Sequence, residues 1–373
     1  MTMKKVSIVL PTYNGERYIE QAIQSVLAQT YQNFELIIVD DCSTDGTAYI
    51  VQRYVDQDSR VQVIHNTENQ KLPRSLNIGF RHAAGDCFTW TSDDNRYKPT
   101  ALERMLEYLE ADQETGLVYA NMDYINEDGC KTGTFSLDAK KLYRMNCIGA
   151  CFLYRRSVAE QIGEYDSSMF LVEDYDYWLR ISREYKILHI PQNLYQYRIH
   201  NDSLTMTKKQ AIMVQLYKLR MRELDFILER AGEDERAELF LNMWVYGGND
   251  VWQQKDRFFP GGILPLSLKW MERLARTGNR PDEQKMLILF GAGNYGKLAL
   301  NDYGKNRVYA FADNNNLLHG TCIEGVPVIS FNQLREVYKD YQIVLSVGIK
   351  NAVSLAQQLE RAGIENFILY TNA

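Results

Sequence analysis

An α/β protein in three parts is what this sequence predicts: a largely parallel α/β domain over residues 1–205, a helical segment and linker over 206–280, and a small parallel α/β domain over 281–373. Three observations carry that prediction. Short β-rich runs alternate with helical patterns through the first two hundred residues, strand signals vanish from about Met206 to Arg276, and the alternation resumes after Pro281. Alternating β and α implies a mostly parallel sheet, and 373 residues are long for one core.

In the first domain Val6–Leu10, Leu36–Val39, Val61–Ile64, Cys87–Trp90 and Leu117–Ala120 read as strands. Several are nearly continuous apolar runs, which suits a sheet buried on both faces. Between them Tyr18–Ala28, Thr47–Val55, Arg74–Ala84 and Thr100–Glu110 read as helices, with Asp45-Gly46-Thr47 and Pro99-Thr100 as helix-start chemistry. In the helical segment Ile212, Leu216, Leu219, Ile227 and Leu228 recur at helical spacing, and Pro260-Gly261-Gly262 breaks it. Leu266, Trp270 and Leu274 share one helical face, with Lys269, Arg273 and Arg276 beside or opposite it and Phe258 and Phe259 ahead of it. Such a helix can dock at a membrane surface, so a peripheral membrane contact is one expectation; packing against a core is the commoner use of an apolar stripe. In the last domain Met286–Phe290, Val308–Ala312, Val326–Ile329, Ile343–Val347 and Asn366–Tyr370 read as strands.

The net charge of -6 argues against nucleic-acid binding and means that an anionic substrate needs a local cation. The six cysteines form no C-x-x-C pair and read as reduced thiols of a cytoplasmic protein. Val6–Leu10 is too short for a signal-peptide core, and no apolar run has transmembrane length.

Ligands of open α/β sheets bind outside the carboxyl ends of the strands. Strand one ends in Pro11-Thr12-Tyr13-Asn14, strand two in Asp40-Asp41, and strand four runs into Thr91-Ser92-Asp93-Asp94-Asn95. Four carboxylates on one rim repel one another unless a cation lies among them. Hard oxygen ligands point to Mg²⁺ or Mn²⁺, which can also bridge a diphosphate. Each piece taken singly is as easily a turn or a helix cap, as Asp45 is read to be; three successive strand ends make that less plausible.

This constellation resembles the family-2 glycosyltransferases of the GT-A fold. The carrying residues are Val6–Gly15, Ala28-Gln29-Thr30-Tyr31, Val39–Thr47, Leu76-Asn77-Ile78-Gly79, Ala84-Gly85-Asp86, Asp93-Asp94, Gly149–Phe152 with Tyr154-Arg155-Arg156, Gly163–Asp166, Glu173–Arg180 and Tyr197-Arg198-Ile199-His200. The resemblance covers roughly residues 4 to 205. It implies an inverting, metal-dependent, non-processive transferase that moves a sugar from a nucleotide diphosphate, UDP-sugars favoured, to a glycan or lipid-linked acceptor in surface glycan synthesis. Asp41 would accept from the base of the nucleotide, Asp93 would bind ribose, and Pro11, Tyr13 and Arg74 would wall the pocket. Arg74 is as readily an exposed helix charge. Asp94 would hold Mn²⁺ or Mg²⁺, with His200 near the diphosphate or metal. Asp174 would be the catalytic base, and a helix-terminal acid stabilised by the macrodipole is its other reading. One departure stands out: Thr91 occupies a position where many members carry a carboxylate.

In the last domain Gly291-Ala292-Gly293-Asn294-Tyr295-Gly296 follows a strand and opens a helix, and Asp313 ends the next strand. The segment is similar to the Rossmann-like units attached to some sugar-modifying enzymes. It implies a nucleotide site at Gly291, Gly293, Gly296 and Asp313, or else a scaffold that holds no ligand. Two rivals fit less well. About ninety residues leave no room for a dehydrogenase's substrate domain, and Pro-Thr-Tyr-Asn replaces the Gly-rich loop of a pyrophosphorylase. A nucleotide-sugar-binding or sensing protein without transferase activity is the alternative from another class.

Overall fold

Seven consecutive buried residues, Val6 to Thr12, form the first strand, and covering on both faces is what its apolar run requires. The computed structural model describes residues 3–136, 138–265, 268–277 and 279–370. The chain divides into two compact units, Met1–Glu223 and Leu224–Ala373.

The first unit begins with β1 (Val6–Thr12), α1 (Ile19–Leu27), β2 (Phe34–Asp40), α2 (Thr47–Gln57), β3 (Val61–His65), α3 (Leu72–His82) and β4 (Cys87–Trp90). It continues with β5 (Arg96–Tyr97), α4 (Ala101–Glu110), β6 (Thr115–Ile125), β7 (Lys131–Phe135), β8 (Phe152–Arg155), α5 (Arg156–Ile162), α6 (Glu173–Glu184) and β9 (Lys186–Arg198). The sheet order is β3-β2-β1-β4-β8-β6-β9-β5, with β7 paired to β6. β3, β2, β1 and β4 are parallel, as α-helical crossovers dictate. β8 runs antiparallel to both β4 and β6, so the sheet is mixed rather than largely parallel. Its physical reason is the connection: β8 follows β7 without a helical crossover, so the chain can enter against its neighbours.

The thirteen-residue β9 has no counterpart among the expected strands. Pro191 interrupts its pattern, and proline removes a ladder donor. The strand absorbs it by an irregularity in register, since Ala120 pairs with Ile190 but Asn121 with Asn193. The helix Lys209–Arg222 closes the first unit.

The second unit holds β10 (Leu287–Phe290), β11 (Val308–Ala312), β12 (Cys322–Ile323), β13 (Val326–Ile329), β14 (Gln342–Leu345) and β15 (Phe367–Leu369). Their order is β12-β13-β11-β10-β14-β15, parallel apart from the β12–β13 hairpin. The helices Leu224–Arg230 and Glu233–Gly247 belong to this unit. The stripe considered for a membrane contact is buried here. Phe258, Phe259, Trp270 and Leu274 are at most 5% exposed, Phe258 and Phe259 pack on Phe240, and Trp270 lies 5.9 Å from Phe367. The remaining residue of the stripe, Leu266, is outside the described residues. Apolar contacts inside the unit thus claim the face that a bilayer would need. Among the described residues no helix is long and apolar enough to cross a membrane. All six cysteines are free thiols, and burial pushes those of Cys87 and Cys147 up to about 12.

Candidate active site

The first three strand ends are laced together by short polar contacts. Asn14 leaves β1 with a φ of 55°. Its N–H donates to the Ser43 hydroxyl at 2.9 Å, and its side-chain oxygen accepts from the Thr44 N–H at 2.8 Å. Asp45 accepts from the Thr47 N–H at 3.0 Å, the N-terminal helix acid the sequence suggests. Asp40 accepts from the Ser43 N–H and contacts His65 Nδ1, each at 3.0 Å. Asp41 is buried and accepts from Asn66 Nδ2 at 2.8 Å and from the N–H groups of Gln70 and Lys71 at 2.7 and 2.9 Å. Its carboxylate therefore anchors the loop that opens α3. Arg74 is exposed in the first turn of α3, Pro11 is buried, and Tyr13 is 52% exposed.

The end of β4 brings the acidic pair to this rim. Asp93 Oδ2 accepts from the Thr12 hydroxyl at 2.5 Å, which ties β4 to β1. A Cβ at position 15 would lie 2.3 Å from that same Asp93 oxygen, so a larger residue there would displace the Asp93 carboxylate. Burial and the neighbouring Asp94 charge push Asp93 up to about 7. Asp94 Oδ2 lies 3.1 Å from His200 Nε2, and this contact raises the His200 pKa. Among the described residues, the other Asp94 oxygen and the far ring nitrogen of His200 are buried without a hydrogen-bond partner. Tyr18 packs edge-on against His200 at 5.3 Å, and its hydroxyl is also unpartnered. Among the described residues no three His, Cys, Asp or Glu side chains converge as a ready metal cage. Mg²⁺-type sites, however, often use one or two carboxylates and leave the remaining positions to substrate phosphates and water. An unpartnered carboxylate oxygen beside an imidazole fits that mode.

Asp174 lies in the first turn of α6. Its Oδ2 accepts from Asn146 Nδ2 and its Oδ1 from the Tyr175 N–H, each at 2.7 Å. Burial raises its pKa, and burial followed by the Asp174 charge pushes Glu173 up to about 8. Two bonds hold the approach to α6: Asn77 of α3 donates to the Tyr165 carbonyl and accepts its N–H, both at 2.9 Å. Burial raises the pKa of the Tyr197 phenol, and the charges of Asp94 and Asp174 both add to the rise.

Asn146 carries no sequence signal of its own, and Arg198 stands out only as part of the Tyr197–His200 motif. Asn146 is a lone polar residue in a loop, and its side-chain oxygen is buried and unpartnered. Arg198, 1% exposed, donates to the carbonyls of Asp94, Asn126 and Glu127 and to Gln21, which fixes the backbone under Asp94. It stands two residues before His200, and that spacing on one strand edge is the hint available.

In the second unit Gly291 adopts a φ of 118° and a Cβ there would lie 2.2 Å from Val347. Gly293 precedes the helix Asn294–Tyr303. Asp313 accepts from the Ala292 N–H at 2.8 Å and the Asn315 N–H at 2.8 Å, while Ser346 donates to the Gly291 carbonyl at 3.0 Å.

Comparison with known proteins places this arrangement. The family model described as "Glycosyl transferase family 2" matches residues 7–163. The Bacillus subtilis protein described as "Putative glycosyltransferase EpsE" is 32% identical over 224 residues, 56% of this chain and 80% of that protein. From the same organism, "Putative teichuronic acid biosynthesis glycosyltransferase TuaG" is 29% identical over 213 residues, 55% of this chain and 83% of its own length. The chain spans from 30% to 83% of the length of the curated relatives it matches, and less than two thirds of several. A crystal structure of Staphylococcus aureus TarS 1-349 in complex with UDP-GlcNAc superposes with a TM-score of 0.52 at 17% identity, covering 73% of this chain and 87% of TarS 1-349. That likeness shows the fold, the GT-A-like architecture of the mixed sheet.

Proposed function

The chain belongs to glycosyl transferase family 2, and from that premise we propose that its first unit transfers a sugar from a nucleotide-diphosphate donor to an acceptor hydroxyl, with inversion and one addition at a time. What supports the proposal is an unpartnered, buried acidic oxygen at Asp94 and a buried, hydrogen-bonded carboxylate at Asp174, both of which bear on the Tyr197 phenol. An acceptor hydroxyl becomes a competent nucleophile as its proton is taken, and Asp174 is the base for that step. Direct attack with one carboxylate base inverts the anomeric carbon. Asp94, with His200, would hold Mn²⁺ or Mg²⁺, which neutralises charge on a departing diphosphate. Asp41, Asp93, Arg74, Pro11 and Tyr13 surround the nucleotide in this reading, with Asp93 toward ribose. UDP-GlcNAc, the ligand of TarS, is the first donor to test. Surface glycan synthesis on the cytoplasmic side of a membrane is the proposed setting, and the naming of TuaG supports it.

A narrower proposal concerns the second unit. β10 is flanked by β11 on one side and β14 on the other, so the Gly291–Gly296 turn lies at the switch point of a doubly wound sheet. A nucleotide there would rest on Gly291, Gly293 and Gly296 and reach Asp313. The experiment for the main proposal is donor and acceptor turnover by the full chain with Mn²⁺, with the anomeric configuration of the product read by NMR. Retention of configuration, or no turnover across a panel of nucleotide sugars and glycan acceptors, would refute it.

A further inference from the structure

The exposed apolar side chains of the first unit are not scattered. Apart from Met3 near the start of the chain and the rings of Tyr13 and Tyr49, its large exposed apolar residues among those described are Met145, Ile199, Leu204, Met206 and Val214, each 38% to 44% exposed. Two of them border the site. Met145 precedes Asn146, the partner of Asp174, and Ile199 precedes His200, the partner of Asp94. Leu204 and Met206 lie in the short helix Leu204–Thr207, and Thr205 of that turn is 3.4 Å from the Tyr197 hydroxyl. Val214 lies in the helix Lys209–Arg222, which Arg220 ties to the Met145 loop through the Arg144 carbonyl at 2.9 Å. That helix carries apolar residues around its circumference, yet Leu219 is its one fully buried residue.

Charge identifies what covers it. From Ile199 to Arg222 the chain has one acid, the exposed Asp202, against five cations, Lys208, Lys209, Lys218, Arg220 and Arg222, in a protein of net charge -6. Arg222 is engaged by Asp166, Asp176 and Glu223. Lys208, Lys209 and Lys218 are exposed, and among the described residues they make no ion pair. Two copies of such a face would repel each other, whereas anionic lipid headgroups would attract it.

We propose that Met145 and the stretch Ile199–Lys218 form a docking face for the surface of an anionic lipid bilayer. The apolar side chains enter the headgroup region while the three lysines meet lipid phosphates. The face borders Asp94 and Asp174, so docking turns the mouth of the site toward acceptors anchored in that bilayer. The consequence for acceptors rests on the transferase reading, but the docking does not.

The test is sedimentation of the full chain with vesicles of phosphatidylglycerol and phosphatidylcholine, compared with phosphatidylcholine alone. The wild-type chain should sediment with the anionic vesicles at low ionic strength and be released by salt. The triple variant Lys208→Glu, Lys209→Glu, Lys218→Glu should bind at least about tenfold more weakly while keeping its melting temperature and its donor turnover in solution. Asp174→Asn should bind vesicles like the wild type, which separates docking from catalysis. A wild-type chain that stays in the supernatant overturns the proposal, as does a triple variant that binds equally well. Light scattering that shows the same substitutions splitting a dimer, with no vesicle binding, overturns it in favour of a second copy as occupant.

Discussion

The strand ends of the two sheets differ in how they use their polar groups. In the second unit the glycine turn is closed on itself: Asp313 takes the Ala292 N–H and Ser346 takes the Gly291 carbonyl. In the first unit one Asp94 oxygen, the far nitrogen of His200 and the Asn146 side-chain oxygen are buried without partners. Buried polar groups are normally paired, so an unpaired group points to something that joins it in use. The lesson is that a glycine-rich turn and an acidic strand end are both suggestive in sequence, but unspent hydrogen-bonding capacity distinguishes them in structure.

The comparison breaks most visibly at the base. Asp174→Asn keeps the shape and cannot take a proton; kcat should fall by roughly two to four decades with donor affinity near the wild-type value. A variant with normal kcat would move the chemistry elsewhere. Asn146→Ala removes a hydrogen bond that favours the charged form of Asp174, so kcat should fall by about tenfold to a hundredfold. The acid limb of the kcat profile should also move to higher pH, because the bond it loses lowers the Asp174 pKa. An unmoved limb would reduce Asn146 to packing.

Glu173 sharpens the contrast between strain and service. Burial raises its folded pKa to about 8, so its favourable contribution is present below the unfolded value near 4.5 and is lost as pH rises toward 8. Glu173→Gln should therefore melt higher than the wild type at pH 8, by roughly 2–4 °C, with the gain shrinking toward pH 5. A gain that is equal at both pH values would show that titration of Glu173 is not its source. The smallest effect belongs to the second unit. A Cβ at Gly293 would meet nothing within 4 Å, so Gly293→Val should leave donor turnover within about twofold. It should still abolish any nucleotide-dependent rise in melting temperature. A large loss of turnover would place the glycine turn in the catalytic account.

Much of the fold was legible because its signals are local. The apolar runs of β1 and β2, the apolar runs of β10 and β11, and the helices that start at Thr47 and Ala101 follow from periodicity, although the N-cap residue of neither helix makes a side-chain capping bond. What escaped depended on partners distant in sequence. β8 gains its antiparallel place from β4 and β6, and β9 tolerates Pro191 by shifting register against β6. At the site, the acidic residues at 93, 94 and 174 stood out as charges at strand and helix ends. The contacts that orient them did not: Thr12 reaches Asp93 across 81 residues, Asn146 reaches Asp174 across 28, and Arg198 braces Asp94 across 104. The apolar stripe at Trp270 and Leu274 shows the converse, since a helical face looks the same in sequence whether a core or a bilayer covers it.

The central claim is that Asp94 holds the cation through which the first unit grips a nucleotide diphosphate. Calorimetric titration of UDP, then GDP and dTDP, into the full chain with Mn²⁺ tests it most directly, with Asp94→Ala alongside. The account predicts that at least one nucleotide binds the wild-type chain when Mn²⁺ is present, that excess chelator abolishes this binding, and that Asp94→Ala lacks it. Binding of equal strength in excess chelator and in Asp94→Ala would contradict it.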